Sequence, residues 1–148
     1  MSSKFSNRLQ RSTQRLLALS LLTALGLALT ACASMGPGER MSQRLALYQD
    51  AASEPVKSFH FWQMHRWEPL GREHLAVWTR LDTAYLIEVQ APCSGLDFTQ
   101  TVGLSSTQNR VFSKFDDVRF ENQRCRIAEI RPVDVAALKQ AEKELSAR

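Results

Sequence analysis

The sequence lacks the motifs by which most catalytic and cofactor sites are recognised. It contains no G-x-S-x-G turn, no H-E-x-x-H helix and no phosphate-binding glycine-rich loop, and only six of its 148 residues are glycine. We therefore predict that the protein is not an enzyme, with no catalytic residues, no cofactor-binding residues and no metal ligands. An active site assembled from scattered residues is the alternative.

Long apolar runs and an excess of charge of one sign are also missing. The apolar run LLALSLLTALGLAL, residues 16–29, has fourteen residues, whereas a membrane-spanning helix needs about 20. The chain has a net charge of +4, but residues 1–31 hold four of its 19 Lys and Arg and none of its 15 Asp and Glu. The remaining residues therefore balance, without the basic stripe of nucleic-acid-binding proteins. We expect no nucleic-acid partner.

The acid-free N-terminus is typical of a secretory signal peptide, because four basic residues precede the short apolar run. A buried core helix is the alternative. The run ends in LTAC, residues 29–32, which resembles the lipobox of bacterial lipoproteins. The resemblance implies cleavage before Cys32 and lipidation of its sulfur and amine. Because Ala33 rather than aspartate follows, the resemblance also implies the outer membrane.

These patterns predict three segments. Residues 1–31 form the lipoprotein signal peptide, and residues 32–38 form a lipidated tether that ends in Gly-Pro-Gly. Residues 39–148 form a single periplasmic domain. Three acyl chains, at about 0.8 kcal/mol for each buried CH₂, would hold Cys32 in the membrane almost permanently.

Cysteine is scarce, with three residues in the chain. If Cys32 carries lipid, Cys93 and Cys125 remain, and the oxidising periplasm favours a disulfide between them. A metal pair is the weaker alternative, because neither cysteine lies in a C-x-x-C or C-x-H pattern.

Periodicity predicts an α+β domain in which a small antiparallel sheet of about five strands is flanked by an N-terminal and a C-terminal helix. The first helix covers residues 39–51 and has an apolar stripe at Met41, Leu45 and Tyr48. The second follows Asp134 as its N-cap and buries Val135, Leu138 and Leu145.

β-branched and aromatic residues predict the strands between these helices. The first three form a meander at residues 56–62, 74–79 and 84–90, with turns at 68–71 and 81–83. At most a short strand is expected within residues 98–106. The later strands are predicted at residues 109–115, 117–120 and 124–130, and Pro132 should stop the last of them.

The stretch HFWQMHRW, residues 60–67, raises the question of a metal or ligand site. A turn at residues 68–71 would place His65 opposite His74, close enough for two imidazoles to chelate. The same register would stack Phe61, Trp78 and Tyr85 in a ladder, either as core or as the lining of a ligand groove. Because two ligands do not make a stable zinc site, we predict no metal.

Several short motifs resemble a family of small uncharacterised proteobacterial lipoproteins, a domain of unknown function. They are W-x-x-L-G at residues 67–71, VWT at 77–79, AYLIEV at 84–89, C-x-G-L at 93–96 and CRIAEIRPVD at 125–134. The resemblance implies a lipoprotein of a Gram-negative cell envelope and implies no activity.

The expected function is that of a lipid-anchored envelope protein, facing the periplasm from the outer membrane and acting as an interaction or structural module. Its expected partner is the membrane, through the lipid on Cys32, and a second envelope protein is a further candidate. A small-molecule ligand is not identified. The alternative is a small-ligand or metal-binding lipoprotein that uses the aromatic and histidine face. An enzyme comes third.

Overall fold

The structure is a computed structural model that describes residues 36–147. The predicted signal peptide and Cys32 lie outside these residues. None of the helices within the described range is long and apolar enough to span a membrane. The elements, in chain order, are α1 (Pro37–Asp50), β1 (Ser58–His60), β2 (Arg66–Pro69), β3 (His74–Trp78), β4 (Ala84–Val89), β5 (Gly103–Leu104), β6 (Arg110–Phe112), β7 (Asp117–Phe120), β8 (Gln123–Val133) and α2 (Val135–Ser146).

Helix α1 begins earlier than its apolar periodicity predicts. Gly36 is the N-cap and Pro37 the first helical residue, while the Glu39 carboxylate accepts a 2.9 Å hydrogen bond from the Gly36 N–H. Proline suits this position because its ring presets the helical φ, and its missing N–H would have no helical partner there. The helix therefore begins two residues before its predicted start at residue 39, within the stretch Gly-Pro-Gly.

Helix α2 has the predicted N-cap. The Asp134 carboxylate accepts hydrogen bonds from the N–H groups of Ala136 and Ala137, each 3.0 Å long. Val135 and Leu138 are buried as predicted. Leu145 is not, because it lies in the last turn of α2, outside the helix–sheet core, and is 38 % exposed.

The fold class α+β with antiparallel strands is confirmed, but the strand count is not. Six strands form a curled sheet in the order β2-β3-β4-β8-β7-β5, and β1 pairs with β6 in a separate two-stranded sheet. The predicted meander is wrong in its first member. Ser58 pairs with Phe112 and His60 with Arg110, so β1 hydrogen-bonds to a strand about 50 residues further along the chain. The meander begins instead at β2.

Strand β8 continues through Pro132, where the sequence predicts its end. Tyr85 of β4 lies opposite Pro132, and the Pro132 carbonyl accepts a 2.8 Å hydrogen bond from the Ser53 N–H. In a strand, the N–H and C=O of one residue point to the same side. The N–H that proline lacks would therefore point toward Ser53 and away from β4, so no bond of the β4–β8 ladder is lost.

The central strands of the six-stranded sheet, β3 and β4, are covered on both faces. Helices α1 and α2 cover one face, where Tyr48 and Leu138 pack against Ala76, Trp78 and Leu86. The two-stranded sheet and the loop after β4 cover the other face, whose core residues include Phe59, Leu75, Val77, Ile87, Leu96, Val111 and Ile127. This double burial explains why β3 reads as an almost unbroken apolar run.

Cys93 and Cys125 form a disulfide with a Cα–Cα separation of 5.9 Å. Both are buried, and they join the loop after β4 to strand β8. The cysteine count predicts this pairing.

Candidate functional site

An open cleft lies where the loop after β1 meets the turn between β3 and β4. Its volume is about 390 Å³, and its lining consists of His60, Trp62, Gln63, Thr79, Arg80, Thr83 and Tyr85. We call it the Trp62 cleft, after the residue that is most unusual there. The Trp62 side chain is 72 % exposed, although indole is among the most costly side chains to leave in water.

Aromatic contacts define one wall of the Trp62 cleft. The ring of His60 packs edge-on against Trp62 with centroids 5.5 Å apart. The ring of Tyr85 stacks on buried Phe59 at 4.1 Å, and Phe61 packs edge-on against Phe59 at 6.1 Å. Tyr85 is thus held by the core through Phe59, while Trp62 projects from the surface. The wall combines one fixed ring with one exposed ring.

Two arginines place positive charge near the phenol of Tyr85. Burial raises the pKa of Tyr85, while the nearby positive charges of Arg80 and Arg110 work to lower it. Arg110 lies directly opposite His60 in the β1–β6 pair and donates a 2.9 Å hydrogen bond to the Ser58 hydroxyl. The ion pairs found within residues 36–147 engage other arginines and leave Arg80 out. An exposed guanidinium without a carboxylate partner in this range therefore borders the cleft.

The predicted facing pair of His65 and His74 is wrong. Pro69 pairs with Leu75 and Trp67 with Val77, so the loop is residues 70–73, closed by a 2.9 Å hydrogen bond from the Leu70 N–H to the His74 carbonyl. Gly71 has φ +130°, a conformation that only glycine adopts readily. The turn therefore forms around Gly71, two residues later than a turn with Pro69 in its second position.

The two histidines consequently lie at opposite ends of β3. The His65 N–H donates a 2.7 Å hydrogen bond to the Trp78 carbonyl, whereas His74 is the first residue of the strand. At about 3.3 Å per residue, the length of β3 separates them by roughly 15 Å. They cannot share a metal ion.

The predicted aromatic ladder is also wrong. Trp78 lies opposite Ala84, and Tyr85 lies opposite Val77, so Trp78 and Tyr85 point to different faces of the sheet. Trp78 packs into the core beneath the helices, and the Arg66 guanidinium covers its ring at 3.8 Å. Only Tyr85 reaches the Trp62 cleft.

Metal-binding geometry is not found among residues 36–147, where no three His, Cys, Asp or Glu side chains are placed to hold an ion. The nearest approach is a row across three strands, in which His74 faces Glu88 and Glu88 faces Glu129. His74 Nε2 lies 4.0 Å from Glu88 Oε2, and Arg131 lies 3.9 Å from Glu129. These contacts form a partly exposed polar row on the sheet.

Asp116 and Asp117 have structural contacts. Asp116 is buried and accepts hydrogen bonds from the Ser105 hydroxyl at 2.6 Å and the Phe112 N–H at 2.8 Å. Asp117 pairs with Arg126 at 2.8 Å. Asp116 therefore holds the turn between β6 and β7, while Asp117 joins β7 to β8.

A polar network beneath the helices was not predicted from any sequence pattern. Arg44 of α1 binds both carboxylate oxygens of Glu68, Tyr48 donates a hydrogen bond to the same carboxylate, and Trp78 donates from Nε1 to the Tyr48 oxygen at 3.2 Å. Burial is the main reason that the pKa of Tyr48 rises to about 12. This network joins α1 to β2 and β3, and we assign it to the stability of the fold.

Sequence reasoning found half of the Trp62 cleft. It singled out His60 and Trp62 through the stretch HFWQMHRW, and it raised a ligand groove as an alternative to core. It missed Thr79, Arg80 and Thr83, which the pattern marks only as the neighbourhood of a turn. These residues join the cleft because of where β1 lies, and β1 is positioned by its pairing with β6, a contact between distant parts of the chain.

Comparison with known proteins identifies a family without an assigned activity. The chain matches the family of unknown function DUF6491 over residues 15–148. It matches no curated protein and no solved structure. The match spans the whole described domain, including the disulfide and the Trp62 cleft, and the chain belongs to this family of unknown function, DUF6491.

Proposed function

We propose that the protein is a lipid-anchored component of a Gram-negative cell envelope whose periplasmic domain binds a partner through the Trp62 cleft. The proposed role is binding rather than catalysis. The observation that carries the proposal is the exposed Trp62 ring, which stands over an open cleft lined by polar groups. Exposed aromatic surface beside convergent polar groups is typical of binding sites.

The anchor part of the proposal rests on residues 1–32. A basic start, a fourteen-residue apolar run and LTAC occur in the order that a lipoprotein signal requires. Membrane attachment would then come from the acyl chains on Cys32.

A short connection would keep the domain close to its membrane. Gly36, the N-cap of α1, is four positions after Cys32, so the start of α1 could lie at most about 14 Å from the lipidated cysteine. Gly38 of α1 and the loop at Gly71 border one groove. Strand β3 leads from that loop toward the Trp62 cleft.

The test is site-specific photo-crosslinking in the bacterium that makes the protein. A benzophenone amino acid replaces Trp62 in the full-length, membrane-attached chain. The matched control places it at Phe98, which is 83 % exposed and does not line the cleft. Both substitutions exchange one exposed aromatic ring for another, so neither should disturb the core.

We expect adducts at position 62 that do not form at position 98, recovered from the membrane fraction and identified by mass spectrometry. The same adducts at both positions, or none at position 62, would show that the Trp62 cleft is not a binding site. Recovery of the protein in the soluble fraction would contradict the anchor.

A further inference from the structure

We infer that the Trp62 cleft binds a saccharide that carries a carboxylate group. The inference rests on the proposed function, since it names the ligand class of the same cleft. It has three independent supports: an aromatic platform, hydrogen-bonding groups at several angles, and positive charge at one end.

The platform is the exposed face of Trp62. A pyranose ring has a face of C–H groups that packs on an indole, whose π-face is negative. His60 braces Trp62 edge-on at 5.5 Å, which restricts the indole before a ligand arrives and lowers the entropy cost of binding. Tyr85, fixed by stacking on Phe59 at 4.1 Å, is a second aromatic side chain in the lining of the cleft.

Polar groups of the right kind line the same cleft. Gln63 offers an amide that can donate and accept at once, and Thr79 offers a hydroxyl that can do either. The Thr83 hydroxyl donates to Asp82 and can accept from a ligand. Sugar hydroxyls also donate and accept, so such groups match them better than they match an apolar ligand. The volume of about 390 Å³ lies near the lower end for small-molecule sites, which suits about one or two sugar rings.

The charge lies on the Tyr85 side of the cleft. Arg80 borders the cleft and is exposed, and Arg110 reaches the neighbourhood of the Tyr85 phenol from β6. A guanidinium binds a carboxylate through two parallel hydrogen bonds. The Asp82 carboxylate, which accepts a 3.0 Å hydrogen bond from the Thr83 hydroxyl, lies in the same turn. Because its negative charge opposes an acidic ligand, the preference of the cleft for acidic over neutral saccharides should depend on Arg80.

Two matched probe pairs test the inference with the full-length protein in detergent. The first pair is the disaccharide of N-acetylglucosamine and N-acetylmuramic acid beside di-N-acetylchitobiose, which has a free 3-hydroxyl in place of the lactyl ether and its carboxylate. The second is α-1,4-linked trigalacturonate beside the galactose trimer of the same linkage. Affinities are measured by calorimetry, with quenching of tryptophan fluorescence as the second readout.

The variants separate stacking from charge. Trp62→Ala should lower the affinity for the acidic probes about tenfold or more and remove the quenching of tryptophan fluorescence. Arg80→Gln should lower the affinity for the acidic probes about tenfold, so that acidic and neutral probes bind with similar affinity. Phe98→Ala removes another exposed aromatic ring and should change neither the affinity for the acidic probes nor their preference over the neutral ones.

The inference is overturned if neither acidic probe binds, if Trp62→Ala leaves binding unchanged, or if adenosine monophosphate binds at least as tightly as the acidic sugars. Crosslinking of the benzophenone at position 62 to a protein would also overturn it, while the proposed function would stand. An absence of adducts at position 62 would remove both.

Discussion

Arg44 of α1 holds the carboxylate of Glu68 on β2 through two hydrogen bonds, 2.8 Å from Nε to Oε1 and 2.9 Å from Nη2 to Oε2. The Tyr48 hydroxyl donates a third, of 2.9 Å, to Oε2. The same guanidinium also pairs with Glu142 of α2. Arg44 therefore joins the two helices to the first strand of the curled sheet, at the edge of the core that lies beneath them.

Glu68→Gln should destabilise the domain at neutral pH and much less in acid. Burial works to raise the pKa of Glu68, but the hydrogen bonds from Arg44 and Tyr48 outweigh it and the pKa lies below its ordinary 4.5. A lowered folded-state pKa contributes stability above pH 4.5, which is lost as the pH falls through the folded value. We expect a loss of about 1.5–3 kcal/mol at pH 7.

Urea denaturation of the wild type and Glu68→Gln between pH 3 and pH 8 measures this difference. The control is Glu144→Gln, whose carboxylate contacts only Gln140 among the described side chains and is exposed. A difference that stays constant down to pH 3 would contradict the ionised Glu68.

Tyr48 should make the fold sensitive to alkali. Burial, followed by the negative charge of Glu68, raises the pKa of Tyr48 from 10.0 to about 12. A raised folded-state pKa contributes stability below pH 10, which is lost as the pH rises toward 12. The free energy of unfolding should therefore fall between pH 10 and pH 12 more steeply in the wild type than in Tyr48→Phe. Equal slopes would show that the Tyr48 phenol ionises as freely in the folded protein as in the unfolded one.

Local signals predicted the ends of the domain well. Asp134 is a recognisable N-cap, and the apolar spacing of α1 pointed to buried Tyr48. Register was not predictable in the same way. The choice between turns at Pro69 and Gly71 depends on which residues of β2 and β3 pack into the core, and a different choice moves every facing pair.

The half of the Trp62 cleft that comes from the turn after β3 was not predictable, for the same reason. Its two halves come from the loop after β1 and from the turn after β3, and β1 pairs with β6 rather than with β3. A short strand such as Ser58–His60 gains its stability from packing of Phe59 against Val111 and Tyr85. No local pattern encodes that contact.

Removal of the disulfide should cost a large part of the stability. Cys93 and Cys125 are 32 positions apart, and closing a loop of that length stabilises by roughly 3–4 kcal/mol in the chain-entropy model. We expect that loss in the Cys93→Ala, Cys125→Ala double variant, measured by urea denaturation under non-reducing conditions. Ser94→Ala, an exposed change in the same loop, is the control. Free thiols in the folded wild type, alkylated without reductant, would contradict the bridge.

Cys32→Ala should abolish lipid attachment, because only the thiol can form the thioether that the lipobox resemblance implies. The protein should then accumulate uncleaved or in soluble form and no longer incorporate labelled palmitate. Cys93→Ala, which removes a cysteine of the disulfide, should leave the labelling intact. Labelling that persists in Cys32→Ala would remove the anchor from the proposed function.

The histidines should act independently and hold no metal. The length of β3 separates His65 from His74, and a structural zinc site normally needs four ligands. The effects of His65→Ala and His74→Ala on the free energy of unfolding should therefore add within about 0.5 kcal/mol in the double variant. Elemental analysis of protein purified without an affinity tag should find less than stoichiometric zinc and copper. One metal ion per chain, lost in the double variant, would mean that β2 and β3 pair in the other register, with His65 facing His74.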